Sequence, residues 1–169
     1  ARGILVEDTT GKLLAYAGAA VDAAVGDVVT VEGAMATYGG LRQIGGTVVV
    51  TKTGTTNYAY PTATVMDGAA FDAYLDNPVI KYVEYTGTLN IDGYYYNVAV
   101  EGASKAVGSL AYVIEGTVDQ SLNGKKIVVK GWTIGFSGGK YVNTMIRSVK
   151  DVNDNTPDPD PTPTPDPEQ

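Results

Sequence analysis

Val29-Thr-Val-Glu-Gly33 and Ile127-Val-Val-Lys-Gly131 carry one pattern twice, 98 residues apart, and reading them together decides the fold. In an extended strand, alternation places Val29, Val31 and Gly33 on one face and Thr30 and Glu32 on the other. The second copy turns Ile127 and Val129 inward and Lys130 outward. A glycine inside a strand of this kind marks a sharp bend or bulge, as a small barrel requires. Further on, Tyr38-Gly-Gly matches Phe136-Ser-Gly at the same spacing, and each is followed by another strand. The shared order of strand, glycine, strand, aromatic, glycine turn and strand predicts two copies of one small barrel.

Outward from these segments the chain reads as β throughout. Val, Thr, Tyr and Ile dominate, and 21 glycines punctuate them at short intervals. Strands are predicted at Gly3–Asp8, Lys12–Ala17, Asp27–Thr37 and Leu41–Thr53. A second group is predicted at Lys81–Ile91, Tyr94–Glu101, Val107–Ile114, Lys126–Phe136 and Lys140–Val152. Between the groups, Asp67–Leu75 is the one helical stretch. Asp67 can cap it, Phe71 and Leu75 lie four apart, and Pro78 follows its end.

Composition excludes many chemistries. The 169 residues include no His and no Cys. There is therefore no Ser-His-Asp or Cys-His nucleophile, no zinc site of the usual kind, no haem or iron–sulfur ligation through these residues and no disulfide. No 18-residue apolar run spans a bilayer, and no signal-peptide pattern is read. Gly135-Phe-Ser-Gly-Gly139 lacks the ending of a phosphate loop, and no spacing singles out a carboxylate pair for glycoside hydrolysis. No catalytic motif is present.

The net charge of −7 is uneven. Residues 1–75 carry 4 Lys/Arg against 7 Asp/Glu, residues 76–152 carry 8 against 7, and residues 153–169 carry none against 5. That last segment holds six of the eight prolines and reads as an extended, polyproline-like spacer. Spacers of this type join domains, so the chain reads as part of a modular protein. The functional alternative is a proline-rich ligand for an aromatic groove.

The segments Gly3-Ile-Leu-Val-Glu-Asp-Thr-Thr-Gly11, Val25–Gly33 and Tyr38–Ile44, with Tyr82–Leu89 and Gly124–Gly131 in the second copy, resemble the tandem OB-fold-like modules of secreted and surface proteins of gut bacteria. The resemblance covers residues 1–152. It implies an all-β chain of two small OB-like Greek-key barrels in tandem, joined by a short helix and followed by a Pro-rich extended tail. The expected boundaries are 1–66 for the first barrel, 67–79 for a helical linker, 80–152 for the second barrel and 153–169 for the tail. The first copy begins at what should be its second strand, with no equivalent of Tyr82–Leu89. Either the sequence is truncated there or another strand, such as one from a neighbouring chain, closes the barrel.

OB-folds bind single strands and oligosaccharides around their second and third strands. Tyr95, Asn97, Lys105, Lys125, Lys126, Lys130, Trp132 and Lys140 are the candidate ligand-binding residues on the second barrel, because aromatic faces stack on bases and pack on sugar rings. The alternation expected of the Tyr94-Tyr-Tyr96 run turns Tyr94, Tyr96, Val98 and Val100 inward and Tyr95, Asn97 and Glu101 outward. The competing reading is that these tyrosines are strand formers with satisfied hydroxyls. Asp151-Val-Asn-Asp-Asn-Thr-Pro157 matches the calcium-binding linker of cadherins, which makes Asp151, Asn153, Asp154 and Asn155 candidate calcium ligands. Cadherin sites also need an Asp-Arg-Glu tripeptide, which is absent, and a polar exit from the last strand is the alternative. No other cofactor is expected.

Together these readings describe a non-catalytic binding module of a larger extracellular or cell-surface protein, engaging a polysaccharide or single-stranded nucleic acid on the second barrel. The rival is a structural spacer or assembly subunit of a surface or filament protein, whose open first barrel accepts a strand from a neighbour.

Overall fold

The structure is a computed structural model that describes residues 2–111, 113 and 117–158. It is all-β, with two sheets and almost no helix. The strands are β1 (Gly3–Asp8), β2 (Gly11–Tyr16), β3 (Asp27–Tyr38), β4 (Leu41–Thr55), β5 (Thr64–Val65), β6 (Lys81–Asp92), β7 (Tyr95–Val100), β8 (Val107–Ala111), β9 (Lys126–Ser137) and β10 (Tyr141–Asp151). Nine of them lie where alternation predicts. The two-residue β5 is too short to carry a periodic signal. Helix α1 spans Gly68–Ala73.

The first sheet is open, in the order β1-β2-β4-β3. β1 runs antiparallel to β2, β2 parallel to β4, and β4 antiparallel to β3. Gly39 and Gly40 join β3 to β4 with φ of 64° and 81°, the two successive positive values that tight hairpins need and only glycine adopts without strain. The second sheet has the order β5-β6-β7-β8-β10-β9, and a further pairing of β6 with β9 closes five of its strands into a ring. Its one parallel contact inside the ring joins β8 to β10. The pairing of β3 with β4 shifts register between Glu32 and Ala34, around Gly33. That of β9 with β10 shifts between Ile146 and Ser148, beside Gly131. Both glycines thus stand where a regular ladder is interrupted.

The two sheets differ sharply in core. Tyr85, Leu89, Val98, Ile127, Val129 and Val142 are among the residues that fill the closed ring. The Tyr85 hydroxyl, fully buried, pairs with Thr144 Oγ1 at 2.9 Å, so its polar end is satisfied inside the core. Before residue 66, by contrast, Leu14 and Ala15 are the only buried apolar side chains among the described residues. Val28, Met35 and Val49 remain 43–51% exposed.

The helix expected as a linker packs on the closed ring of strands. Phe71 is fully buried with its ring 4.7 Å from that of Tyr85, because an apolar ring on so short a helix gains most by entering the nearest core. Asp67 caps the helix through its side chain, which accepts from the Ala70 N–H at 2.8 Å. Asp72 then ties it to the turn before β8. Its carboxylate accepts the N–H groups of Ala106, Ser104 and Lys105 and the Ser104 hydroxyl, at 2.7–2.9 Å.

Those donors, the Ala106 N–H foremost, hold the Asp72 carboxyl well below the usual carboxylate range. A carboxyl depressed by folding stabilises the fold above its unfolded value of about 4, and that contribution is lost as pH falls toward the folded value. The thermal midpoint of the native chain is therefore expected to fall as pH drops below about 4. In Asp72→Ala the midpoint should be lower at neutral pH and its decline with acid shallower. Parallel pH slopes for the two proteins would remove Asp72 from the account.

Candidate functional site

Segment 56–63 leads from β4 toward β5 and carries Tyr58 and Tyr60 to the gap between the sheets. Two residues apart on an extended chain, they fall on the same side. Their rings meet edge to face at 5.3 Å, Tyr60 approaches Tyr82 at 5.2 Å, and Tyr82 approaches Trp132 at 5.2 Å. Four aromatic rings thus form one chain along the wall of the closed ring of strands. The Arg147 guanidinium lies 3.8 Å over the Tyr60 ring and donates to the Tyr82 hydroxyl at 3.0 Å. Lys12 of the first sheet sits 5.8 Å from the centre of the Trp132 ring. Such cation–aromatic contacts strengthen as water is excluded.

Tyr58, Tyr60 and Trp132 of this chain line a cleft of about 720 Å³, and the buried Tyr82 packs between Tyr60 and Trp132 behind them. One side is β1 along its whole length, a second is the start of β3 at Asp27–Val29, and the third is the closed ring through Trp132 and Met145–Arg147. The cleft is mostly apolar, and burial raises the Tyr58 and Tyr60 hydroxyls above their ordinary values. Both phenols therefore stay neutral donors at physiological pH. Among the described residues, β1 pairs only with β2 and β3 only with β4. Among the described residues no strand pairs with the outer edge of either, and β1 along its length and β3 at Asp27–Val29 border this cleft.

The two sheets meet at the β3–β4 turn. Gly39 O accepts from the Phe136 N–H at 2.9 Å, and Gly40 lies against Pro78 and the Phe136 ring. Gly135, with φ of 99°, packs on Gly39 so closely that a Cβ would stand 2.5 Å from Gly39 O. This junction positions the first sheet over Trp132.

Of the eight residues proposed from sequence as a ligand surface, Trp132 alone lines the cleft. It is only 8% exposed, held between Tyr82 and Lys12, so it forms part of the cleft floor instead of an open outer face. Tyr95 is 71% exposed at the start of β7. Asn97 stands half-buried between Asn90 and Ser109. Lys105 and Lys125 are exposed, Lys126 pairs with Glu101 at 2.8 Å, and Lys140 lies 5.1 Å over Tyr141. Lys130 is engaged by Asp158 at 2.9 Å, which raises its pKa, with Glu84 at 3.8 Å. Tyr94, expected to face inward, is fully exposed because the Asp92–Tyr95 turn takes it out of the strand.

Asp151 and Asp154 each spend a carboxylate oxygen on the turn that follows. Asp151 accepts from the Asn153 N–H at 2.9 Å, and Asp154 accepts from the N–H and hydroxyl of Thr156. Asn153 and Asn155 are exposed, and among the described residues no three acidic groups converge as metal ligands. The start of the tail is held down: Asp158 pairs with Lys130 and Lys150, both at 2.9 Å. The rest of the proline-rich stretch, residues 159–169, lies outside the described residues, as does Ile114 at the predicted end of β8.

Sequence reasoning missed Tyr58, Tyr60, Tyr82 and Arg147. The available signal was Tyr58-Ala-Tyr60-Pro61, paired aromatics on one side of an extended segment. No family model, curated protein or solved structure matches this chain. None of the described helices is long and apolar enough to cross a membrane.

Proposed function

We propose that the chain is a non-catalytic module of two OB-like units, one a closed five-stranded barrel and one present here as four strands, that binds an extended polymer in the cleft between them. The connectivity supports the OB-like reading. Strands β6 to β10 close in the order β6-β7-β8-β10-β9 with one parallel contact, and β1-β2-β4-β3 repeats the last four places of that order with the same parallel contact. The observation that carries the binding reading is the chain of rings of which Tyr58, Tyr60 and Trp132, beside Arg147, line an open cleft. Planar rings in series suit a repeating ligand, and placement outside the cell or on its surface accords with the resemblance and the Pro/Thr/Asp tail.

Trp132 is the sole tryptophan and reports on this site. Titration with oligosaccharides, single-stranded oligonucleotides and extended peptides is expected to give a saturable emission change with one class. Tyr60→Ala should weaken that binding about tenfold, the scale of one stacking contact. Unaltered emission with all three classes, or unaltered affinity in Tyr60→Ala, would overturn the reading.

A further inference from the structure

Ile146 and Val149 of β10 both pack against the core of the closed ring, although they stand three residues apart. A regular strand turns residues three apart to opposite faces, so one residue between them is extra. The pairing with β9 locates it. Ile146 stands opposite Gly131 and Ser148 opposite Lys130, which leaves Arg147 without a place in the ladder. Gly131 permits the interruption, because a Cβ there would press on Met145 O and stand 3.0 Å from the Ile146 Cα. Bulges of this kind re-aim a side chain. Here the bulge serves the cleft, where the Arg147 guanidinium lies over Tyr60 and donates to Tyr82.

Asp158 of the tail closes over the same place. Its carboxylate pairs with Lys130 of β9 and Lys150 of β10, each at 2.9 Å, and accepts from the Ser148 hydroxyl. Lys150 also donates to the Thr156 carbonyl. The first turn of the tail is thus fastened across both strands directly after the extra residue. The Asp158 side chain is only 12% exposed, so its ion pairs are better shielded from water than pairs on an open surface. We propose that Asp158 is a positioning residue, which clamps β9 to β10 beside the bulge and so holds Arg147 over the Tyr60 ring. Arg147 lies within the field of the same carboxylate. Removing that charge leaves three neighbouring cations, Lys130, Lys150 and Arg147, that repel one another. The value of this placement to a ligand rests on the cleft being the binding site; the placement itself does not.

The test reads the Arg147 side chain by nuclear magnetic resonance in the full chain. Protons held over an aromatic face are shifted upfield by its ring current, and the Arg147 Nε–H signal, assigned by its loss in Arg147→Lys, reports whether the guanidinium stays on Tyr60. Asp158→Asn keeps the shape of the side chain and removes its charge, at a position beyond the last strand. It is expected to move the signal toward that of a solvated arginine, and Asp158→Glu should restore most of the shift. Glu101→Gln breaks the Lys126 pair elsewhere on β9 and should leave the signal in place. An unmoved signal in Asp158→Asn, or an equal movement in Glu101→Gln, would overturn the proposal. The same variants are titrated with oligosaccharides, single-stranded oligonucleotides and extended peptides. Asp158→Asn should weaken binding about threefold, as one partly exposed ion pair allows, and Glu101→Gln should not. A moved signal with no titrant bound to the native chain would overturn the cleft reading and uphold the clamp.

Discussion

Phe71→Ala is expected to cost about 3–5 kcal/mol, the usual penalty for emptying a buried aromatic site. The ring is fully enclosed and packs on Tyr85, whose hydroxyl holds Thr144 of β10. Its loss leaves a cavity bounded by a short helix and a closed ring, neither of which can collapse far. A six-residue helix has little stability of its own, so α1 should fray, and with it the Asp72 bonds to Ser104, Lys105 and Ala106. The check is chemical denaturation alongside Tyr94→Ala, a fully exposed tyrosine expected to change stability by less than about 0.5 kcal/mol. A Phe71→Ala midpoint equal to that of Tyr94→Ala would show that the helix is an independent connector.

Gly135→Ala is expected to separate the sheets. Its positive φ alone costs about 1–3 kcal/mol for a residue with a Cβ. The new methyl would also meet Gly39 O at 2.5 Å, a distance that only displacement of the β3–β4 turn relieves. The Phe136 to Gly39 bond is then lost and the first sheet moves off Trp132, whose emission should shift to the red. Gly93→Ala is the control. It imposes positive-φ strain at 58° with nothing within 4 Å of the added methyl. Equal stability loss and unshifted emission in both variants would mean that the junction does not seat the first sheet.

The strands were legible because runs rich in Val, Thr, Tyr and Ile are bounded by glycine or polar turns, as in Asp27–Tyr38 before Gly39-Gly40 and Tyr141–Asp151 after Gly138-Gly139. Glycines 33 and 131 were legible as interruptions, since a residue without a side chain inside an apolar run has few other uses. The site was far less legible. Trp132 sits in a strand where neighbours on both faces are buried, so alternation could not tell a cleft floor from an outer surface. Tyr58 and Tyr60 lie in a segment without periodicity, and their partners Tyr82 and Arg147 come from β6 and β10. Such a cluster exists only once the chain has closed, and spacing along the sequence does not encode it.

The near absence of buried side chains among the described residues before 66 has a consequence for how the chain comes apart. A sheet that lacks an interior opens at a cost well below that of the closed ring, so the two halves exchange amides on different scales. The first half would then loosen under heat or denaturant well before the closed ring does.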